Sequence, residues 1–126
     1  MSGSKTTYLK TFLRQMTEVV KQLESMFPED PDFKTFSVFL GVLQYTNPAT
    51  VISTFQEHVV LKYETQITTR DEKFILSHVP VEYGNDLLDI ISKFKTYWTI
   101  LSTGSKDSLW QYLHVLTQLC KKYHEA

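Results

Sequence analysis

Leu9, Phe12, Met16, Val19, Leu23 and Met26 recur at alternating steps of three and four residues, a seam that only a helix gathers on one face. Leu13, Val20 and Phe27 widen it into the broad stripe of a bundle helix, while Arg14, Glu18, Lys21 and Glu24 fall outside it. A helix over about 7–27 with such a stripe must bury it against other helices. The 126-residue chain can supply them, since 42% of it is apolar and 13% aromatic, enough for one domain with its own core.

Proline and cap residues mark the remaining elements. Asp30-Pro31 is a cap followed by a proline at the first helical position, opening a second helix that reaches about Tyr45. Phe33, Phe36, Val38, Phe39, Leu40, Val42 and Leu43 make that helix apolar on nearly every side, which predicts a central place in the bundle. Gly41 then implies close approach of a neighbouring helix. Asn47-Pro48 repeats the cap signal for a third helix through Val51, Phe55, Val59 and Tyr63, whose continuation over 60–69 is either helical or extended. Thr69-Arg-Asp-Glu72 reads as a capping box for a short helix over 70–78, stopped by Pro80. Tyr83-Gly84-Asn85 is a turn before a helix over 86–102, and Thr103-Gly104-Ser105 closes that helix before a last one over 106–123. The fold class that follows is all-α: a single compact bundle of about five to six helices over residues 7–124, with 1–6 a disordered N-terminal segment.

Chemical signatures are sparse. The four glycines are scattered and build no phosphate-cradling loop, and Glu57-His58 lacks the second histidine of a zinc-protease helix. A metal centre would start from Cys120 and His124, which share a helix face, with His114, His58 or His78 brought in from elsewhere. A core cysteine beside partly exposed imidazoles explains the same residues. Asp86/Asp89, Asp71/Glu72 and Glu29/Asp30/Asp32 all lie at helix starts, where the macrodipole favours acids without any catalytic role. An enzyme site would have to be assembled from scattered groups such as Glu57, His58 and His78. The expectation is therefore a protein without catalytic residues, cofactor or metal.

Charge and aromatics carry what functional signal there is. Residues 1–27 hold four basic and two acidic groups, 28–91 four and ten, and 92–126 five and two, so a net charge of -1 hides an acidic middle between basic ends. Lys93, Lys95, Lys106, Lys121 and Lys122 form a candidate basic patch for nucleic acid, and the same separation would let copies dock head to tail. The simpler reading is that the ends fold back and neutralise the middle. Trp110, Tyr112 and Tyr97 form a candidate partner surface, because aromatic side chains dominate protein–protein contacts. A broad inward face that includes Trp110 accounts for it equally well.

No stretch reaches the roughly 18 apolar residues of a membrane span, the start lacks the apolar core of a secretory signal, and Ser2 replaces the glycine that N-myristoylation requires. With a single cysteine, these features predict an intracellular, cytoplasmic setting without membrane insertion. The run Phe27-Pro-Glu-Asp-Pro-Asp-Phe33, Asn47-Pro48, Phe55, Tyr63, Ile67 and Asp71-Glu72-Lys-Phe74 resembles a pattern in short all-helical proteins of unassigned function from large DNA viruses, over residues 27–75. The resemblance implies a viral accessory or virion-associated protein, placed in the virion or infected-cell compartment, and brings no catalytic or ligand-binding residues. The expected function is a non-enzymatic helical protein–protein interaction or structural module, acting on a protein partner or through self-association. A nucleic-acid-associated domain using the basic C-terminal third is the alternative.

Overall fold

The computed structural model describes residues 2–78 and 90–126. Among them the chain is helical with no strand: α1 (Ser2–Met26), α2 (Pro31–Thr46), α3 (Pro48–Phe55), a π-turn (Gln56–Val60), α4 (Leu61–Thr68), α5 (Glu72–Ser77), α6 (Ile90–Tyr97), a 3₁₀ turn (Trp98–Ile100) and α7 (Thr103–Glu125). The Tyr83-Gly84-Asn85 turn, Pro80 and the Asp86/Asp89 pair lie outside the described residues.

The long helices α1 and α7 form the spine and run antiparallel. At one end Lys5 sits 4.7 Å over the Tyr123 ring and Lys122 lies over Tyr8. At the other the Ser105 hydroxyl meets the Met26 sulfur. The predicted seam is the buried one: Phe12, Met16, Val19 and Leu23 of α1 join Leu109, Leu113, Leu116 and Cys120 of α7 in one core. Residues 2–6, expected to be disordered, extend α1 instead, and the Lys5–Tyr123 contact ties them to α7.

Residues 48–68 form one continuous helical rod, which resolves 60–68 as helical, with Thr69 in the turn that follows. Its middle is underwound by the π-turn, where the Leu61 amide reaches back to the Gln56 carbonyl. The rod ends in a Schellman cap: the Asp71 amide donates to Gln66 O at 2.8 Å and the Arg70 amide to Ile67 O at 3.2 Å, with Arg70 at φ 54° in the left-handed position that glycine favours. That cap displaces the expected capping box. Thr69 turns its hydroxyl back to Thr65 O, and Asp71 caps α5 by accepting from the Lys73 amide. At α7 the start is likewise earlier than expected, because Ser102 accepts from the Ser105 amide and draws Thr103, Gly104 and Ser105 into the first turn.

The largest departure concerns α2. Its N-terminus is built as expected, with Asp30 accepting from the Asp32 amide at 2.9 Å and Pro31 at the first position. Phe33, Phe36 and Leu40 enter the core, but the helix packs mainly on α1 and α3 and lies at the edge of the bundle. Its opposite face is left open. A Cβ placed on Gly41 meets nothing within 4 Å, so no neighbouring helix among the described residues explains that glycine.

Candidate functional site

The turn between α1 and α2 creates a polar–aromatic corner. Phe27 stacks on Tyr97 with ring centroids 3.8 Å apart, and Phe33 approaches the same ring at 5.7 Å. Above them the Tyr97 hydroxyl donates to the Asp30 carboxylate. Lys93 lies 2.6 Å from Asp32, 3.3 Å from Asp30 and 5.3 Å from the Phe33 ring centre. Burial pushes the Asp30 carboxyl up, but the Tyr97 hydroxyl, the Asp32 amide and the Lys93 ammonium together hold it below its usual value. The same hydrogen bond, with burial and the charges of Asp30 and Asp32, raises the Tyr97 phenol to about 12. The corner locks the start of α2 onto α6.

From that corner the outward face of α2 runs to its other end. Pro31, Val38, Val42 and Tyr45 line it at helical spacing, and Val38 is 63%, Val42 52% and Tyr45 91% exposed. Phe39 flanks the stripe and is half-buried. A shallow apolar groove follows Pro31, Lys34, Thr35, Val38, Phe39 and Val42. Beside Tyr45, a second depression is lined by Lys10, Arg14, Thr17 and Lys21 of α1, where Gln44 donates to the Thr17 hydroxyl at 3.0 Å. Lys10, Arg14 and Lys21 are exposed and form no ion pair among the described residues.

The aromatic residues singled out by sequence do not make this surface. Trp110 is 5% exposed, packed edge-on to Trp98 at 5.4 Å and against Phe74 at 6.0 Å. It is core, and its place in the expected partner surface is corrected accordingly. Tyr97 is engaged at the corner, and Tyr112 accepts a hydrogen bond from Gln22 of α1 at 2.8 Å. The expected basic patch also dissolves. Lys93 is taken up by Asp30 and Asp32, Lys106 lies 3.5 Å from Glu72, and Lys121 is paired with Glu64 at 2.5 Å. Lys95 donates to the His78 carbonyl at 2.9 Å, and Lys122 sits over Tyr8. The basic C-terminal third has folded back on the acidic middle, whereas the cations of α1 have not. Two of these links shift titrations: the Trp98 indole holds the Glu72 carboxyl down, with Lys106 adding to the effect, and Glu64 raises Lys121.

The residues considered for metal or catalysis are dispersed. Cys120 and His124 do converge, with Sγ 3.7 Å from Nδ1. Yet Nδ1 is 2.8 Å from the Cys120 carbonyl, a geometry that has it donate there. Burial pushes the Cys120 thiol up to about 12, and Sγ lies 3.4 Å from Ile52 O and 3.3 Å from the Gln56 amide oxygen at the π-turn. His114 is exposed, and no group of three or more His, Cys, Asp or Glu is placed to hold a metal among the described residues. Glu57 and His58 lie in the π-turn, whereas His78 is buried at the end of α5, 6.0 Å from the Tyr63 ring. No helix of the described residues is long and apolar enough to cross a membrane.

The chain matches no protein-family model, no curated protein and no solved structure.

Proposed function

We propose that this protein is a non-enzymatic helical protein–protein interaction module whose working face is the outward side of α2. One observation carries the reading: Val38, Val42 and Tyr45 form a contiguous apolar stripe in water on the side of α2 opposite its buried Phe33, Phe36 and Leu40. An isolated exposed apolar residue needs no explanation, but a stripe of them on one rigid helix marks a contact surface. The occupant is another helix, because a straight, shallow apolar groove is complementary to the ridge of side chains on a second helix. The resemblance of residues 27–75 to helical proteins of large DNA viruses supports a virus-associated assembly as the setting. The single, buried cysteine supports an intracellular one.

A photo-crosslinking amino acid at position 42, compared with one at Thr68 on the exposed side of α4, tests the reading. Adducts formed at 42, absent at 68 and lost when Val38→Asp is added are expected. Equal adducts at both positions, or adducts indifferent to Val38→Asp, would overturn it.

A further inference from the structure

The α2 face is not uniform along its length. At its N-terminal end stand Glu29, Asp30 and Asp32, of which Asp30 and Asp32 share one cation, Lys93, and Lys34 one turn on leaves that end net acidic by one charge. At its C-terminal end stand Tyr45 and the cations Lys10 and Arg14, which form no ion pair among the described residues, with Glu18 and Lys21 further along α1, so that this end is net basic. Between them lies the uncharged stretch Val38 to Val42. A surface that is acidic at one end, apolar in the middle and basic at the other is complementary to itself after a two-fold rotation about its middle. Two α2 helices laid antiparallel across Val38 would bring the Glu29 end of each copy to the Lys10/Arg14 end of the other. The two helix macrodipoles would also oppose, and side-by-side antiparallel dipoles attract.

Gly41 provides an independent reason. Within a helix, glycine costs about 0.5–1 kcal/mol relative to alanine, and none of the described residues approaches the position. It lies on the open side of α2 between Val38 and Val42, where a missing side chain lets a second helix backbone come close.

Resting on the proposed working face, we infer that its occupant is a second copy of this chain, in an isologous dimer built on antiparallel α2–α2′ packing. The helix spans only about 24 Å (1.5 Å per residue), and one such crossing falls short of the 1,200–2,000 Å² that a stable interface buries. The dimer is therefore a weak, reversible one.

Sedimentation equilibrium on the full chain from about 10 μM to 1 mM, the range in which small interfaces associate, reads it directly. Monomer giving way to dimer is expected. Val42→Glu should keep the chain monomeric over that range with its helical circular dichroism unchanged. Gly41→Gln, a better helix former that occupies the open position, should do the same with thermal stability equal or raised. The charge pattern has its own signature. Glu29→Lys and Arg14→Glu each weaken self-association at least several-fold, while an equimolar mixture of the two variants recovers it, because each heterodimer then has opposite charges at both ends. A monomer at every concentration, a dimer indifferent to Val42→Glu, or no recovery in the mixture would overturn the inference. Position-42 adducts to a different protein, from a chain that stays monomeric, would overturn it while leaving the proposed function standing. Absence of any adduct specific to position 42 would remove both.

Discussion

The Tyr97 hydroxyl donates to the Asp30 carboxylate, and that same carboxylate caps the first turn of α2. One side chain thus fixes where α2 begins, and through Tyr97 which element it begins against. This has a two-sided pH consequence. Asp30 is held below its usual range, so its contribution is present above the unfolded carboxylate value and lost as pH falls below about 4 through the folded value. Tyr97 is raised from 10.0 to about 12, so its contribution is full below pH 10 and is lost as pH rises toward 12. Tyr97→Phe should cost about 1.5 kcal/mol at neutral pH, the low end for a hydrogen bond to a charged group because Tyr97 is partly exposed. It should also flatten the alkaline limb of a denaturation profile between pH 10 and 12. An unchanged alkaline limb would show that Tyr97 does not set it.

Trp110 yields a prediction opposite to that of an interface residue. Its ring fills the space between Trp98 and Phe74, so Trp110→Ala should destabilise the fold by about 3–5 kcal/mol, the range for truncating a buried large aromatic. Chemical denaturation read by circular dichroism measures this. A cost below about 1 kcal/mol would return Trp110 to the surface.

Much of the fold was legible in single residues. The Phe12–Leu23 part of the α1 seam, the Asp30-Pro31 cap and the Leu109–Cys120 stripe are local patterns, set by helix period and cap chemistry, and each is found where the pattern places it, while Met26 at the end of the seam is exposed. What escaped were choices made at a distance. Tyr97 and Asp30 are 67 positions apart, and nothing in either neighbourhood announces the bond. An all-round apolar helix such as α2 satisfies physics in two ways, by sitting in the centre or by leaving one face for something else. Composition does not distinguish them. Gly41 was the available signal: a glycine among core formers marks a close approach, and only the structure shows that none of the described residues makes it. The basic ends misled for a related reason, since Lys93, Lys106 and Lys121 find carboxylates brought near only by packing.

Cys120 should behave as a core residue and not as a reagent. Only the thiolate reacts, and burial holds the thiol near 12, far above the pH of ordinary labelling. A disulfide reagent at pH 8 should leave the native protein unmodified for hours and react within minutes in denaturant. Rapid labelling of the folded chain would mean that the π-turn opens at Ile52 and Gln56, the groups that Cys120 contacts there.

Thr117 differs from several other threonines of the helices. Thr11, Thr17, Thr46 and Thr68 each turn their hydroxyl back to the carbonyl four residues earlier, at 2.8–3.0 Å. Thr117 is 1% exposed on the inward face of α7, among Leu113, Leu116 and Cys120, and its hydroxyl has no hydrogen-bond partner among the described residues. A buried hydroxyl without a partner bears its desolvation cost with nothing to offset it, so a methyl of similar size in its place relieves that cost. Thr117→Val should raise the unfolding free energy by up to about 1 kcal/mol, offset in small part by the extra stiffness of valine in a helix. Thr17→Val breaks a bond to Leu13 and strands the donor on Gln44, so it should destabilise and serves as the matched control. If Thr117→Val instead lowers stability as Thr17→Val does, the Thr117 hydroxyl has a partner in solution, and the inward face of α7 holds a polar contact there.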